Sequence, residues 1–279
     1  MDILDMGVDC AHFPFVSGRS TAAPSLKRSN LMLSQFNPFS NTQEHNLHSS
    51  KSDGGLFYRL DDMMKSKGNL ADYGRDTAIV HEGEPSRKLF KVVSGAVRIC
   101  KFRDDGCRQI DTFCLPGDYF GFDLEDEARF AAETTTQSAL LVASASAVMT
   151  PEAQMGGIAG AIWKLTVQDL HRSQNHALLL SYRNAEDRIV AFLEEMAVRL
   201  NRTSSIELPM SRQDIADYLG LTIETVSRAM TDLARHDAIS LPRPRSVILN
   251  TAMRARLANA SHHREPEALA KLAPALRPN

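Results

Sequence analysis

The sequence predicts an α+β chain in which a β sandwich or barrel is followed by a long helix and then by a helix-turn-helix. Glycines at 83, 95, 106 and 117 punctuate short β-branched and aromatic runs, residues 158–181 switch to apolar positions three and four apart, and 208–233 hold two helical patterns separated by a Gly. At 279 residues the chain has room for two domains. With 43% hydrophobic and 24% charged residues it is globular in composition, which excludes a fibrous or wholly disordered class. The net charge of −2, taken alone, predicts no nucleic-acid partner.

Residues 1–53 are rich in Ser, Asn, His and Pro and are expected to form a disordered extension. Asp2, Asp5 and Asp9 stand where a secretory leader needs basic residues, and no apolar run approaches the ~18 residues of a membrane span. A soluble, cytoplasmic protein with no membrane contact is expected. Cys10, Cys100, Cys107 and Cys114 are too few in so long a chain for a disulfide framework. From about Leu70 to Val148 the pattern is β, with Asp104-Asp105-Gly106 the sharpest hairpin signal, between Ala96–Arg103 and Arg108–Cys114.

From Ile158 to Ser181, positions Ile158, Ile162, Leu165, Asp169, Arg172, His176 and Leu179 form one seam. A seam apolar at its ends and polar in its middle suits a helix that lies on a β domain and against a partner helix. His171 and His176 are five apart, which is not the spacing of two metal ligands on one helix face, and they read as solvated or interhelical. A second amphipathic helix follows, with Ile189, Phe192, Leu193, Met196 and Leu200 inward and Glu186, Glu194 and Glu195 off that face.

Within 208–233, Ser211 is an N-cap that Asp214 completes as a variant capping box. Ile215, Ala216 and Leu219 face inward, Gly220 stops the helix, and Thr222 caps the next one, which packs through Val226, Ala229, Met230 and Leu233. What stays outside is Glu224, Ser227 and Arg228, at i, i+3 and i+4 on one face of its first two turns. Such residues reach base edges in a major groove: Arg bonds guanine O6 and N7, and Glu accepts from the cytosine amino group. Thr222 and Thr225 offer hydroxyls and backbone N–H groups to phosphates. Between Arg228 and Arg256 six Arg face two Asp, a local +4 that overrides the global balance. Arg243 and Arg245 lie in a segment with the look of a short β wing.

At these residues the sequence resembles the CRP/FNR superfamily of bacterial transcription regulators, most closely its FixK-type branch, over roughly 55–256. S-G-A-V-R-I at 94–99, L-P-G-D-Y-F-G at 115–121 and S-R-Q-D-I-A-D-Y-L-G-L-T-I-E-T-V-S-R at 211–228 carry the match. The resemblance implies a double-stranded β-roll of the cupin-like jelly-roll type over 54–150, a dimerisation helix over 151–182, a winged helix-turn-helix over 183–256 and a flexible tail over 257–279. It puts Glu224, Ser227 and Arg228 at base-reading positions and Ser211, Thr222 and Thr225 at phosphates. It further implies a homodimer on double-stranded DNA with TTGA-N6-TCAA-like palindromes, contact with RNA polymerase, and activation of microaerobic respiration and nitrogen fixation genes. No cofactor or metal is expected, and no enzymatic motif is present.

Two alternatives come with the resemblance. The CRP pocket for a cyclic nucleotide uses Gly-Glu and Arg-Ser or Arg-Thr pairs where this chain has Gly121-Phe122 and Arg129-Phe130, leaving Asp123 and Arg129 as the only substitutes. An iron-sulfur sensor of the FNR type needs three close N-terminal cysteines, and only Cys10 is there. Cys100, Cys107 and Cys114 read as small buried hydrophobes, with Cys107, beside Arg103 and Arg108, the candidate redox thiol.

Overall fold

The computed structural model of the chain describes residues 53–122, 127–148, 157–202 and 204–262. The extension expected up to residue 53 therefore lies outside the described residues but for its last position, as does the tail beyond 262. A helix not expected from the sequence, α1 (Asp53–Lys67), buries Leu60 and Met64. Eight strands follow: β1 (Asn69–Tyr73), β2 (Ala78–Val80), β3 (Lys88–Ser94), β4 (Val97–Phe102), β5 (Arg108–Cys114), β6 (Tyr119–Phe120), β7 (Ala131–Thr134) and β8 (Ser138–Ser144). They pair antiparallel in two four-stranded sheets, ordered β1-β8-β3-β6 and β2-β7-β4-β5. This is the expected β-roll.

Alternating inward residues of both sheets, among them Val80, Phe90, Val92, Val97, Phe120 and Leu140, fill the space between them. Phe90 and Phe120 stack at 4.7 Å. The Asp-Gly hairpin joins β4 to β5, with Gly106 at φ 78° donating its N–H to the Arg103 carbonyl. Gly95, at φ 82°, is fixed by space as well: a Cβ there would lie 2.2 Å from Ser138 Oγ and 2.4 Å from the Gln137 carbonyl.

After α2 (Ala145–Val148) comes the long helix, α3 (Ile158–Leu180), within a residue of the predicted span. Its seam packs on the β-roll as expected, but its far end is covered by this chain's own helix-turn-helix and not left for a partner helix. Ile158, Ala161 and Leu165 pack on Leu89, Tyr119 and Leu141 of the β-roll, while His176 and Leu179 are buried at its other end. The polar middle has a partner, since Arg172 donates to Asp118 at 2.8 Å. A different stripe of α3 stays open: Trp163, Leu170 and Leu178 are 70%, 56% and 42% exposed.

The C-terminal half comprises α4 (Ala185–Arg199), β9 (Ser205–Glu207), α5 (Arg212–Leu219), α6 (Ile223–Arg235), β10 (Ile239–Arg243), β11 (Ser246–Leu249) and α7 (Thr251–His262), with sheet order β10-β11-β9. α7 runs on through the expected domain end at 256, because Met253 and Leu257 are both buried and tie it down. Glu194 and Glu195 correct the helical-wheel expectation: both are buried, since α4 is packed by α3, α6, α7 and β9 at once. Glu195 accepts a bond from the Tyr218 hydroxyl at 3.2 Å and pairs with Arg199. One buried cluster joins the two halves, with Cys100, Ile110 and Phe113 of the β-roll among Phe192, Met196, Tyr218 and Leu219. Among the described residues no helix is long and apolar enough to cross a membrane.

Candidate nucleic-acid interface

The helix-turn-helix is built by local hydrogen bonds that its sequence specifies. Ser211 Oγ accepts from the Asp214 N–H at 3.1 Å, and Asp214 Oδ2 accepts from the Ser211 N–H at 2.8 Å, closing the capping box of α5. Gly220 ends α5 at φ 62°, a left-handed conformation that favours Gly. Arg188 of α4 reinforces that end by donating to the Leu219 carbonyl at 2.9 Å and to the Tyr182 carbonyl at 2.9 Å. Thr222 Oγ1 then caps α6 by accepting from the Thr225 N–H at 3.2 Å.

The second helix divides as predicted. Val226, Ala229, Met230 and Leu233 are buried, and Glu224, Ser227 and Arg228 are exposed together on its outer face. Among the described residues no ion pair joins Glu224 to Arg228, so both heads are open to a ligand. Ile223, 37% exposed, stands at the start of the same face.

The phosphate-contact residues separate. Thr222 and Thr225 hydroxyls share one hydrogen bond at 3.0 Å, which uses one of their two protons and leaves the other for an outside acceptor. Capping leaves the N–H groups of Ile223 and Glu224 as the open donors of the first turn. Ser211 is different: its hydroxyl proton goes to Asp214 Oδ2 at 2.7 Å, so a bond from this side chain to a phosphate competes with the cap.

Arg183 and Asn184, which sequence reasoning did not single out, line an open cleft of about 490 Å³ with Thr225, Arg228 and Asp232. Their only local signal was a position just before an amphipathic helix, and nothing in the sequence brought that position to α6. The wing arginine Arg243 is exposed at the end of β10, and Arg245 follows in the turn to β11.

The β-roll encloses a second candidate site, a cavity of about 100 Å³ lined by Phe90, Ile99, Asp111, Phe122, Phe130 and Asp169 among others. That is well below the ~300 Å³ at which small-molecule pockets begin. Among the described residues its lining includes carboxylates and no basic side chain, so these offer an anionic phosphate repulsion rather than a partner. Lys101 stacks on Phe130 at 5.8 Å, Arg129 is exposed and Asp123 lies outside the described residues. The residues present do not fit a cyclic nucleotide.

Burial holds the Asp111 carboxyl above its usual range, with the field of His176 acting the other way. A raised folded-state value means the charge costs stability once the pH exceeds that value, and the cost fades as the pH falls toward the unfolded range. Asp111→Asn is therefore expected to raise Tm near pH 7. Scanning calorimetry at descending pH should show that gain shrinking toward pH ~4.

Two of the three β-roll cysteines sit as the small buried hydrophobes expected. Cys100 and Cys114 are buried in different clusters, and burial pushes their thiols up to about 11 and about 12, so neither forms a thiolate near neutrality. Cys107, the candidate redox thiol, is not free. The guanidinium groups expected to activate it are committed elsewhere, Arg103 to Asp105 and Arg108 to Asp214 and Asp217. Among the described residues no group of three or more His, Cys, Asp or Glu could hold a metal.

Comparison with known proteins agrees with this layout. Residues 187–255 match the Crp-like helix-turn-helix domain and residues 70–150 the cyclic nucleotide-binding domain. The nitrogen fixation regulation protein FixK of Azorhizobium caulinodans is 42% identical over 192 residues, spanning 67% of this chain and 77% of the relative. The protein of the same name from Rhizobium meliloti is 37% identical over 178 residues, 64% of this chain and 81% of the relative. Among solved structures, FixK2 from Bradyrhizobium japonicum superposes with a TM-score of 0.64 at 37% identity, covering 69% of this chain and 96% of that one.

Proposed function

This chain belongs to the CRP/FNR family, on its FixK-type branch, and from that premise we propose that it binds TTGA-N6-TCAA-like palindromes as a homodimer and activates genes of microaerobic respiration and nitrogen fixation. It is a DNA-binding transcription regulator and not an enzyme. The observation that carries the detailed reading is the exposed trio Glu224, Ser227 and Arg228 on a helix whose opposite face is buried. Arg228 reads guanine, Glu224 reads cytosine on the complementary strand, and Ser227 bonds either. Thr222 and Thr225, with the first N–H groups of α6, hold the phosphates, and Arg183 extends that contact. Ser211 contributes to the phosphates only at the expense of its cap.

The open stripe of α3 supports the dimer. Trp163, Leu170 and Leu178 recur at roughly two-turn intervals, the spacing of a helix that meets its symmetry mate. A two-fold axis along α3 presents two recognition helices to successive major grooves, which is what a palindrome requires. Leu170→Asp is expected to weaken the dimer about a hundredfold or more, because each buried carboxylate loses its water. Sedimentation velocity measures this, and the variant should lose the palindrome with it.

The cavity is too small and too acidic for a nucleotide effector, which favours control through the amount of protein, in the cytoplasm, with RNA polymerase contacted through surface loops. Footprinting the purified full chain on a TTGA-N6-TCAA site, with and without oxygen, tests the reading. Symmetric protection in both conditions is the expected result, and protection that appears only without oxygen would replace this reading with a redox-sensing one.

A further inference from the structure

We propose that Arg98 and Arg108 of the β-roll are positioning residues for the recognition helix and set the spacing between half-sites that the protein accepts. The inference rests on the dimeric DNA-binding function proposed above. Arg98 lies on β4 and Arg108 opens β5, yet both guanidinium groups reach across to α5. Arg98 Nη1 donates to Asp214 Oδ1 at 2.9 Å, and Arg108 Nη2 donates to the same oxygen at 3.0 Å. Arg108 Nε also donates to Asp217 Oδ2 at 2.9 Å, one turn further along α5. Glu133 of β7 braces both arginines from behind, bonded to Arg98 Nε at 2.8 Å. Gln109 adds a bond to the Asp217 carbonyl at 2.8 Å, and Gln213 orients the Asp217 side chain at 2.7 Å.

These bonds do more than attach one surface to another. Asp214 is the residue that closes the capping box, so its two oxygens face opposite tasks: Oδ2 holds the first turn of α5, and Oδ1 holds the β-roll. With Asp217 bonded as well, α5 is gripped at two points along its length and cannot rotate about its axis. On its other side Tyr218 stacks flat on His176 of α3, ring centroids 4.1 Å apart and planes 4° from parallel, with the His176 ring bonded to the Tyr218 carbonyl at 2.7 Å. The helix that carries the open apolar stripe is thereby tied to the helix-turn-helix. Because α5 and α6 pack against each other, the angle of the reading face relative to the two-fold axis follows from these contacts. Arg98 is 7% exposed, so solvent does little to weaken its bonds.

A device that fixes this angle has a signature that general stability lacks. Changing a spacer by one base pair turns one half-site relative to the other by about a tenth of a helical turn. The full-length protein should therefore bind the N6 palindrome better than versions with one base pair removed or added. Arg108→Met keeps the length of the side chain and leaves Asp214 paired with Arg98. It is expected to bind the N6 site about tenfold more weakly or worse, since its charge-assisted bonds to Asp214 and Asp217 are both lost, and to lose most of its preference over the altered spacers. Arg108→Lys, which keeps the charge, should recover part of that preference.

An unchanged spacing profile in Arg108→Met overturns the proposal, and so does an equal loss on all three spacers, which marks a plain loss of folded protein. If the parent protein binds none of the palindromes, the functional reading itself fails. Hydrogen exchange at the α5 amides then decides the positioning role alone: faster exchange in Arg108→Met than in the parent upholds it, and equal exchange removes it.

Discussion

Arg228→Ala is expected to abolish specific binding to the TTGA-N6-TCAA palindrome. A bidentate arginine-guanine contact discriminates by roughly 1–3 kcal/mol, and a symmetric dimer makes it twice, so about a hundredfold loss or more follows. The side chain is exposed, carries no ion pair among the described residues, and buries nothing in the core, so folding should be untouched. The loss should fall on the specific site alone. A gel shift at fixed salt should show weak binding to random duplex little changed, since that term belongs to phosphate contacts. Arg228→Lys should not rescue, because an ammonium cannot present the two parallel donors. Unchanged affinity for the palindrome would refute the assigned role.

Asp214→Ala should be strongly destabilising for a polar residue of the helix-turn-helix. It opens the capping box, worth ~1 kcal/mol, and it removes the shared acceptor of Arg98 and Arg108, which are 9% and 19% exposed at the side chain. Breaking a buried ion pair costs about 3–5 kcal/mol when the partner is stranded. Here Glu133 and Asp217 still hold the two arginines, so a total near the lower end, about 3 kcal/mol, is expected. Urea denaturation measures it. Asp217→Ala provides the contrast: its carboxylate is more exposed and caps nothing, so less should be lost than with Asp214→Ala. Equal costs for the two substitutions would mean that the cap and the shared oxygen contribute little.

What could be read from the sequence was what lies close along it. Ser211 and Asp214, Gly220, and Thr222 and Thr225 interact within three or four residues, so spacing alone announced both helices and their caps. The seam of α3 was visible for the same reason. The other oxygen of Asp214 was not, since its partner Arg98 lies 116 residues away and nothing local marks either as half of a pair. Glu194 and Glu195 misled in the same manner: their positions on the wheel of α4 are correct, but a helix packed on several sides has no solvent face there. α1 escaped notice because only a narrow part of it, around Leu60 and Met64, is apolar and inward.

Net charge was the poorest guide. The value of −2 is an average over a chain whose basic residues crowd around α6 and the wing. Beside Cys107 the two arginines differ in kind: Arg103 pairs with Asp105 two residues on, which spacing could show, whereas Arg108 pairs with Asp217 of α5, which it could not.

The cluster that runs from Phe113 and Ile110 of the β-roll to Tyr218 and Leu219 of the helix-turn-helix also bears on modularity. Regulators of this build invite the exchange of one reading head for another at the break between α3 and α4. In this chain such a graft would carry away only half of a shared interior, leaving Phe113 bare on one side and Tyr218 on the other. A chimera that keeps its sensor-like domain must bring the face of β5 along with the new head. Specificity can change freely at Glu224, Ser227 and Arg228, on the outside of α6, while the surface that carries them evolves only in step with a strand more than a hundred residues earlier.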